Sequence, residues 1–149
     1  MGFYRRIVVG TDGSDTAMRA VDRASGIAKD HDATLLIVTA YEPASPRQVG
    51  AASTLLRGDL YQVVGSAPAE AMLNDAATRA RSSGATKVET LAVEGSPVDV
   101  LDRTVTAAEA DLLVVGNVGI TSLAGRLLGS VPQNLARRVA VDILIAHTS

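Results

Sequence analysis

The sequence predicts an α/β fold: a doubly wound, five-stranded parallel sheet with helices on both faces. Two observations lead there. Short apolar runs alternate along the chain with segments whose apolar residues repeat at helical spacing, an order that builds right-handed strand–helix–strand crossovers. The chain is also 47% hydrophobic yet only 3% aromatic, so its core has to be made from Val, Ile, Leu and Ala. That palette suits parallel strands buried on both faces, with small-residue helices packed close against them.

The first strand is Ile7-Val8-Val9, and Gly10-Thr11-Asp12-Gly13-Ser14-Asp15 follows it. The next segment places Ala17, Ala20, Val21, Ala24, Ile27 and Ala28 on one helical stripe. Leu35-Leu36-Ile37-Val38 is the second strand. Residues 42–67 then interrupt the alternation with Pro43, Pro46, Gly50, Gly58 and Gly65, and a short helix is expected around residues 51–56. Connections of that length serve as lids, interaction surfaces or flexible segments. The second helix comes after Pro68, with Met72, Leu73, Ala76, Ala77 and Ala80 inward. Val88 to Val93 alternates and reads as a more exposed strand. Ser96 as N-cap and Pro97 at the first helical position open the third helix, which turns Val98, Leu101, Val105 and Ala108 inward. Leu112 to Val115 is a buried strand, and a short helix carrying Val131, Leu135 and Val139 precedes the last one, Ile143-Leu144-Ile145. That last strand is apolar on both faces, which fits a central strand or an edge covered by a second subunit.

Length and charge narrow the function. A chain of 149 residues is the size of one domain, 1–149. A net charge of −2 argues against a broad electrostatic grip on nucleic acid. With no cysteine there is no disulfide, thiol nucleophile or Cys-ligated zinc. Met1 to Arg6 lacks the form of a signal peptide, and no apolar run is long enough to span a bilayer. The expectation is a cytoplasmic protein with no membrane partner.

The stretch most suggestive of chemistry is Gly116-Asn117-Val118-Gly119, then nine residues, then Gly129-Ser130. Glycines at a strand exit let the backbone turn sharply and let a ligand lie against it. A Gly-Ser step opening a helix offers free N–H groups and a hydroxyl to a phosphate. In an open parallel sheet, ligands sit beyond the carboxyl ends of the strands, where the winding reverses. If the first and fourth strands are neighbours, Asp12 faces the glycine loop across such a crevice. Its carboxylate then either accepts bonds from ribose hydroxyls or an adenine amino group, or it stabilises a turn while Ser14 caps the first helix. Arg126 lies in the loop, either within reach of a phosphate or simply solvated. Arg137 and Arg138 fall late in a helix, where basic residues suit the dipole. The fingerprints G-x-G-x-x-G, G-x-x-x-x-G-K-[ST] and G-x-S-x-G are absent. His31 and His147 stand alone in sequence without metal-ligand spacing, and His31 reads as an exposed polar residue after a helix.

Taken together, these residues resemble the universal stress protein family, and closest of all its small single-domain actinobacterial members. The likeness rests on Ile7-Val8-Val9-Gly10-Thr11-Asp12-Gly13-Ser14, on Ala110 through Gly116, on the spacing of Gly116, Gly119, Gly129 and Ser130, and on Val141 to Ile145. The resemblance implies a sheet in the order 3-2-1-4-5, a homodimer joined through the last strand (142–147), and an adenine nucleotide (cyclic AMP, AMP or ATP, with Mg only if ATP). It implies that Gly10, Thr11 and Asp12 hold the adenosine and that Ala40 borders the adenine. Val115 and Gly116 would line the floor, with Asn117 inside the glycine signature. Gly119, Gly129, Ser130 and Val131 would contact phosphates, with Arg126 as the nearby cation.

Two departures bear on the ligand. ATP-binding members often carry a basic or histidine residue where Asn117 and Val118 stand, and often a hydroxyl residue where Pro132 stands. Both changes remove phosphate-binding groups, Pro132 lacking even an N–H. The reading that follows is a regulatory module for a mono- or cyclic nucleotide, acting by ordering the glycine loop and the 42–67 segment together. The alternatives are an ATP-binding protein with slow ATPase activity and a nucleotide-independent partner-binding or chaperone-like protein.

Overall fold

A computed structural model describes residues 2–42, 66–117 and 130–147, with the backbone alone at Ser66, Ser130 and Val131. In chain order its elements are β1 (Arg6–Gly10), α1 (Asp15–His31), β2 (Thr34–Tyr41), α2 (Ser66–Ser82), β3 (Lys87–Glu94), α3 (Pro97–Ala107), β4 (Leu112–Gly116), α4 (Ser130–Arg138) and β5 (Asp142–Ala146). The short helix expected near residues 51–56, together with Gly119, Arg126 and Gly129, lies outside the described residues.

Every strand pairs parallel to its neighbours, in the order β3-β2-β1-β4-β5. The register places Val8 beside both Leu36 and Leu113, so the three central strands rise level with one another. Because strand side chains alternate between faces, the apolar runs feed two separate cores. Ile7, Val9, Leu35, Ile37, Leu112 and Val114 pack under α1 and α2, against Val21, Ala24, Leu73 and Ala76. Val8, Leu36, Val38, Leu113 and Val115 pack under α3 and α4, against Val100, Leu101, Val105 and Leu135. Burying each of the large aliphatic side chains contributes about 1.5–3 kcal/mol, and Ile7, Leu35, Ile37, Leu101, Leu113 and Leu135 are all sealed from solvent. The alanines of α1 (Ala17, Ala20, Ala24 and Ala28) are buried too, which brings that helix close to the sheet.

The ends of α1 follow from local chemistry. Ser14 is its N-cap and Asp32, in the left-handed region at φ 53°, ends it by donating its N–H to Ala28 and Lys29 carbonyls. α2 starts two residues before Pro68 rather than after it, because a proline in the first helical turn forfeits no helical hydrogen bond. β3 is the exposed strand the alternation predicted, and it forms one edge of the sheet. β5 forms the other edge, with Ile145 46% exposed.

Candidate functional site

The winding reverses between β1 and β4: α1 and α2 cover one face, α3 and α4 the other. Val9 pairs with Val114, so the chain leaves β1 after Gly10, through Thr11, at the same edge of the sheet where β4 ends at Gly116. Ala40 lies two residues beyond Val38, the partner of Gly10, and is itself paired with Val93 of β3. The sheet thus gathers Gly10, Thr11, Asp12, Ala40, Val115, Gly116 and Asn117 along one edge, at the place where open α/β sheets bind ligands. Ser130 and Val131 open α4.

The β1 exit is a sequence of nested turns. Thr11 N–H donates to the Val38 carbonyl at 3.0 Å, extending the ladder one step past β1. Thr11 Oγ1 accepts Gly13 N–H at 3.1 Å, and Asp12 Oδ1 accepts Ser14 N–H at 2.9 Å. Ser14 Oγ then caps α1 by accepting Ala17 N–H at 3.2 Å. Asp12 and Ser14 therefore do perform the turn and capping roles that the sequence left open. They do not exhaust Asp12, however. Burial pushes its carboxyl above the usual value, and the hydrogen bonds from Ser14 act in the opposite direction. A half-buried carboxylate held rigidly by its own turn is a strong acceptor for a hydroxyl or amino group brought into the crevice.

At the β4 exit, Asn117 N–H donates to the Ala146 carbonyl at 2.8 Å, so β4 and β5 stay paired to their ends. This brings in His147, which sequence reasoning set aside as isolated: its Nδ1 lies 3.1 Å from Asn117 Nδ2. The pairing of Gly116 with Ala146 was the signal, and it is visible only once the register is known. Thr39, one residue before Ala40, was also missed. It is 1% exposed, and its Oγ1 has no hydrogen-bond partner among the described residues. A threonine in an apolar strand reads simply as a good strand former.

α4 is held by Leu135, which is fully buried, and by Arg138, whose guanidinium bonds Asp99 at 2.7 Å and Asp102 at 3.1 Å on α3. Arg138 is thus an exposed strut that ties α4 to α3. Pro132 lies in the first turn of α4, so that turn has one N–H fewer to offer an anion. Among the described residues no three His, Cys, Asp or Glu side chains cluster as a metal site, and no helix is long and apolar enough to cross a membrane.

Known proteins share this architecture. A profile of the universal stress protein family matches residues 3–147. Universal stress protein Rv1636 of Mycobacterium tuberculosis is 50% identical over 149 residues, covering 100% of both chains. The crystal structure of Rv1636 aligns with a TM-score of 0.61 at 46% identity, over 100% of this chain and 99% of that one. A universal stress protein solved in complex with cAMP aligns with a TM-score of 0.76 at 47% identity, over 99% of this chain and 100% of that one. A likeness that runs the length of the chain, in sequence and in fold alike, means that this protein belongs to the universal stress protein family.

Proposed function

We propose that this protein is a regulatory module that binds an adenine nucleotide, cyclic AMP or AMP in preference to ATP, in the crevice between the exits of β1 and β4. The observation that carries this reading is the Asp12 carboxylate, half-buried at the winding reversal and fixed there by the Ser14 N–H. A ribose hydroxyl or adenine amino group is the donor it suits. Ala40, partly exposed beside Val93, offers the apolar edge a base needs, and the first turn of α4 offers N–H groups to a phosphate. The cAMP complex of a relative with 47% identity supports the same ligand class.

The preference for fewer phosphates rests on Asn117 and Pro132. Asn117 is neutral and lies against His147, and Pro132 withdraws an N–H from the α4 turn. A triphosphate carries more charge than such donors neutralise, whereas a single phosphate needs fewer. The protein further acts as a homodimer through β5, a reading supported by the position of β5 at the sheet edge and by its exposed Ile145.

Isothermal titration of the purified protein with cyclic AMP, AMP and ATP, each with and without magnesium, tests the reading. Cyclic AMP or AMP is expected to bind more tightly than ATP in the same buffer. Equal or tighter, magnesium-dependent binding of ATP would overturn the preference and turn attention to hydrolysis. No heat with any of the three would leave a partner-binding protein whose glycines are structural.

A further inference from the structure

The end of the sheet opposite the strand exits carries a contact that nucleotide binding does not use. His31, the last residue of α1, reaches the lead-in to β1, and its Nδ1 accepts two backbone N–H groups, Phe3 at 2.8 Å and Tyr4 at 3.2 Å. Gly2 passes so close to the same ring that a Cβ there would overlap it. The Tyr4 ring lies 5.3 Å from the imidazole, and Phe3 meets Tyr4 edge-on with ring centroids 5.0 Å apart. The Tyr4 phenol donates to Asp142 Oδ2 at 2.7 Å, on the first residue of β5. One ring nitrogen therefore fastens residues 2–4 to α1, and Tyr4 carries the connection on to the edge strand.

Accepting two N–H groups requires a lone pair on Nδ1, which places the only ring proton on Nε2. Once the imidazole is protonated, both nitrogens are donors and neither can accept. We propose that His31 is a proton-sensitive latch: the neutral ring holds residues 2–4 against α1, and protonation releases them together with the Tyr4 tie to Asp142.

The surrounding charges set the limits of the motion. On and after α1 lie Lys29, Asp30 and Asp32, and Asp32 pairs with Lys87 of β3 at 3.4 Å. From the lead-in come Arg5 and the Tyr4 phenol, whose proton is held by Asp142 and by the nearby negative charge of Asp111. Asp111 accepts Arg5 N–H at 2.9 Å and Arg6 N–H at 3.1 Å, so release ends at residue 5 and β1 keeps its place. The carbonyl end of α1 favours a cation on His31 whether or not the segment is bound. The two N–H groups aimed at Nδ1 disfavour it only while the segment is bound, so protonation and release are linked. Nδ1 cannot carry a proton and accept the Phe3 and Tyr4 N–H groups at once, so the proton and the segment compete for one lone pair.

Amide-resolved hydrogen exchange by NMR, with protection factors at pH 8 and pH 5, tests the latch. In the wild type, Phe3 and Tyr4 are expected to lose about tenfold in protection at the lower pH, the upper end of what one net hydrogen bond contributes. The loss should follow the titration of the His31 ring in the same sample. In His31→Asn, whose side-chain oxygen can accept but does not titrate, the protection of both amides should be flat with pH, with β1 amides as the control for folding. Unchanged protection of Phe3 and Tyr4 across pH in the wild type, or the same pH-dependent loss in His31→Asn, would overturn the proposal.

Discussion

Met72 of α2 stands directly over Gly13: a Cβ placed on Gly13 would come within 2.7 Å of Met72 Cγ, and Gly13 itself turns at φ +85°. A helix that follows the second strand thus packs onto the turn that follows the first. That contact fixes the path of the chain between Asp12 and the cap of α1, and with it the position of the one half-buried carboxylate described at the strand exits.

Gly13→Ala should therefore cost stability in two ways. A left-handed backbone costs a residue with a Cβ about 1–2 kcal/mol, and the added methyl must also push the Met72 side chain aside. Methionine is flexible enough to move, so most of the loss is backbone strain. A clear fall in the thermal midpoint is expected, and a second substitution, Met72→Ala, should not restore it. Full recovery in the double variant would show that packing and not φ sets the cost.

Asp12→Asn separates the turn from the charge. Asparagine can still accept the Ser14 N–H, so the turn survives. The folded carboxyl is raised by burial, so between the ordinary carboxylate value and the raised one the native state holds more protons than the unfolded chain. Stability contributed by this group is then lost as pH rises through that window, and the charged form at neutral pH is the disfavoured one. Asp12→Asn is expected to melt at or above the wild type at pH 7, with the gap closing in acid. Its affinity for cyclic AMP or AMP should fall roughly ten- to a hundredfold, the worth of a hydrogen bond to a charged group. A variant less stable than wild type at pH 7 with unchanged affinity would make Asp12 a turn residue only.

Leu135 and Pro132 are the buried residues among the side chains described in α4. Truncating Leu135 to Ala should cost about 2–5 kcal/mol, as for other fully buried leucines. Leu135 anchors the nine-residue helix α4 from its buried side, so nucleotide affinity should weaken as well, even at temperatures where the sheet remains folded. Circular dichroism and binding measured on the same sample would separate the two effects.

The Arg138 strut has a distinct signature in acid and in salt. The Arg138 guanidinium first, and the Ser96 hydroxyl second, hold the Asp99 carboxyl below the usual range. A lowered folded value gives stability that is present above the ordinary carboxylate range and lost as pH falls through it. Both groups face solvent, so salt screens the pair. Arg138→Ala is expected to speed hydrogen exchange in α4 at low salt and neutral pH, and to match the wild type at high salt. An equal difference at both salt concentrations would assign the effect to lost packing.

The alternation of strands and helices was legible because each apolar run carries one residue set per face, as Val8 and Val9 do in separate cores. The strand order came from the family resemblance, and the pairing registers bear it out. What stayed hidden depends on residues far apart in sequence. His31 reads as an exposed polar residue until the chain brings Phe3 and Tyr4 to its ring. Likewise Asp111 gives no sign in sequence that it will clamp Arg5 and Arg6. The turn at the β1 exit was legible for a local reason: Asp12 and Ser14 bond backbone groups two or three residues away, a pattern that turn chemistry predicts. The partnership of Asn117 with His147 was not legible, because it arises from neighbouring strands rather than from spacing.

The most direct measurement is a titration of isotopically labelled protein with cyclic AMP, followed by amide chemical shifts. Binding in the crevice should move Gly10 through Ser14, Ala40, Gly116 and Asn117 together and saturably, and leave Phe3 and Tyr4 at the opposite end in place. Shifts confined to other surfaces, or none at concentrations well above those in the cell, would contradict a nucleotide site between β1 and β4.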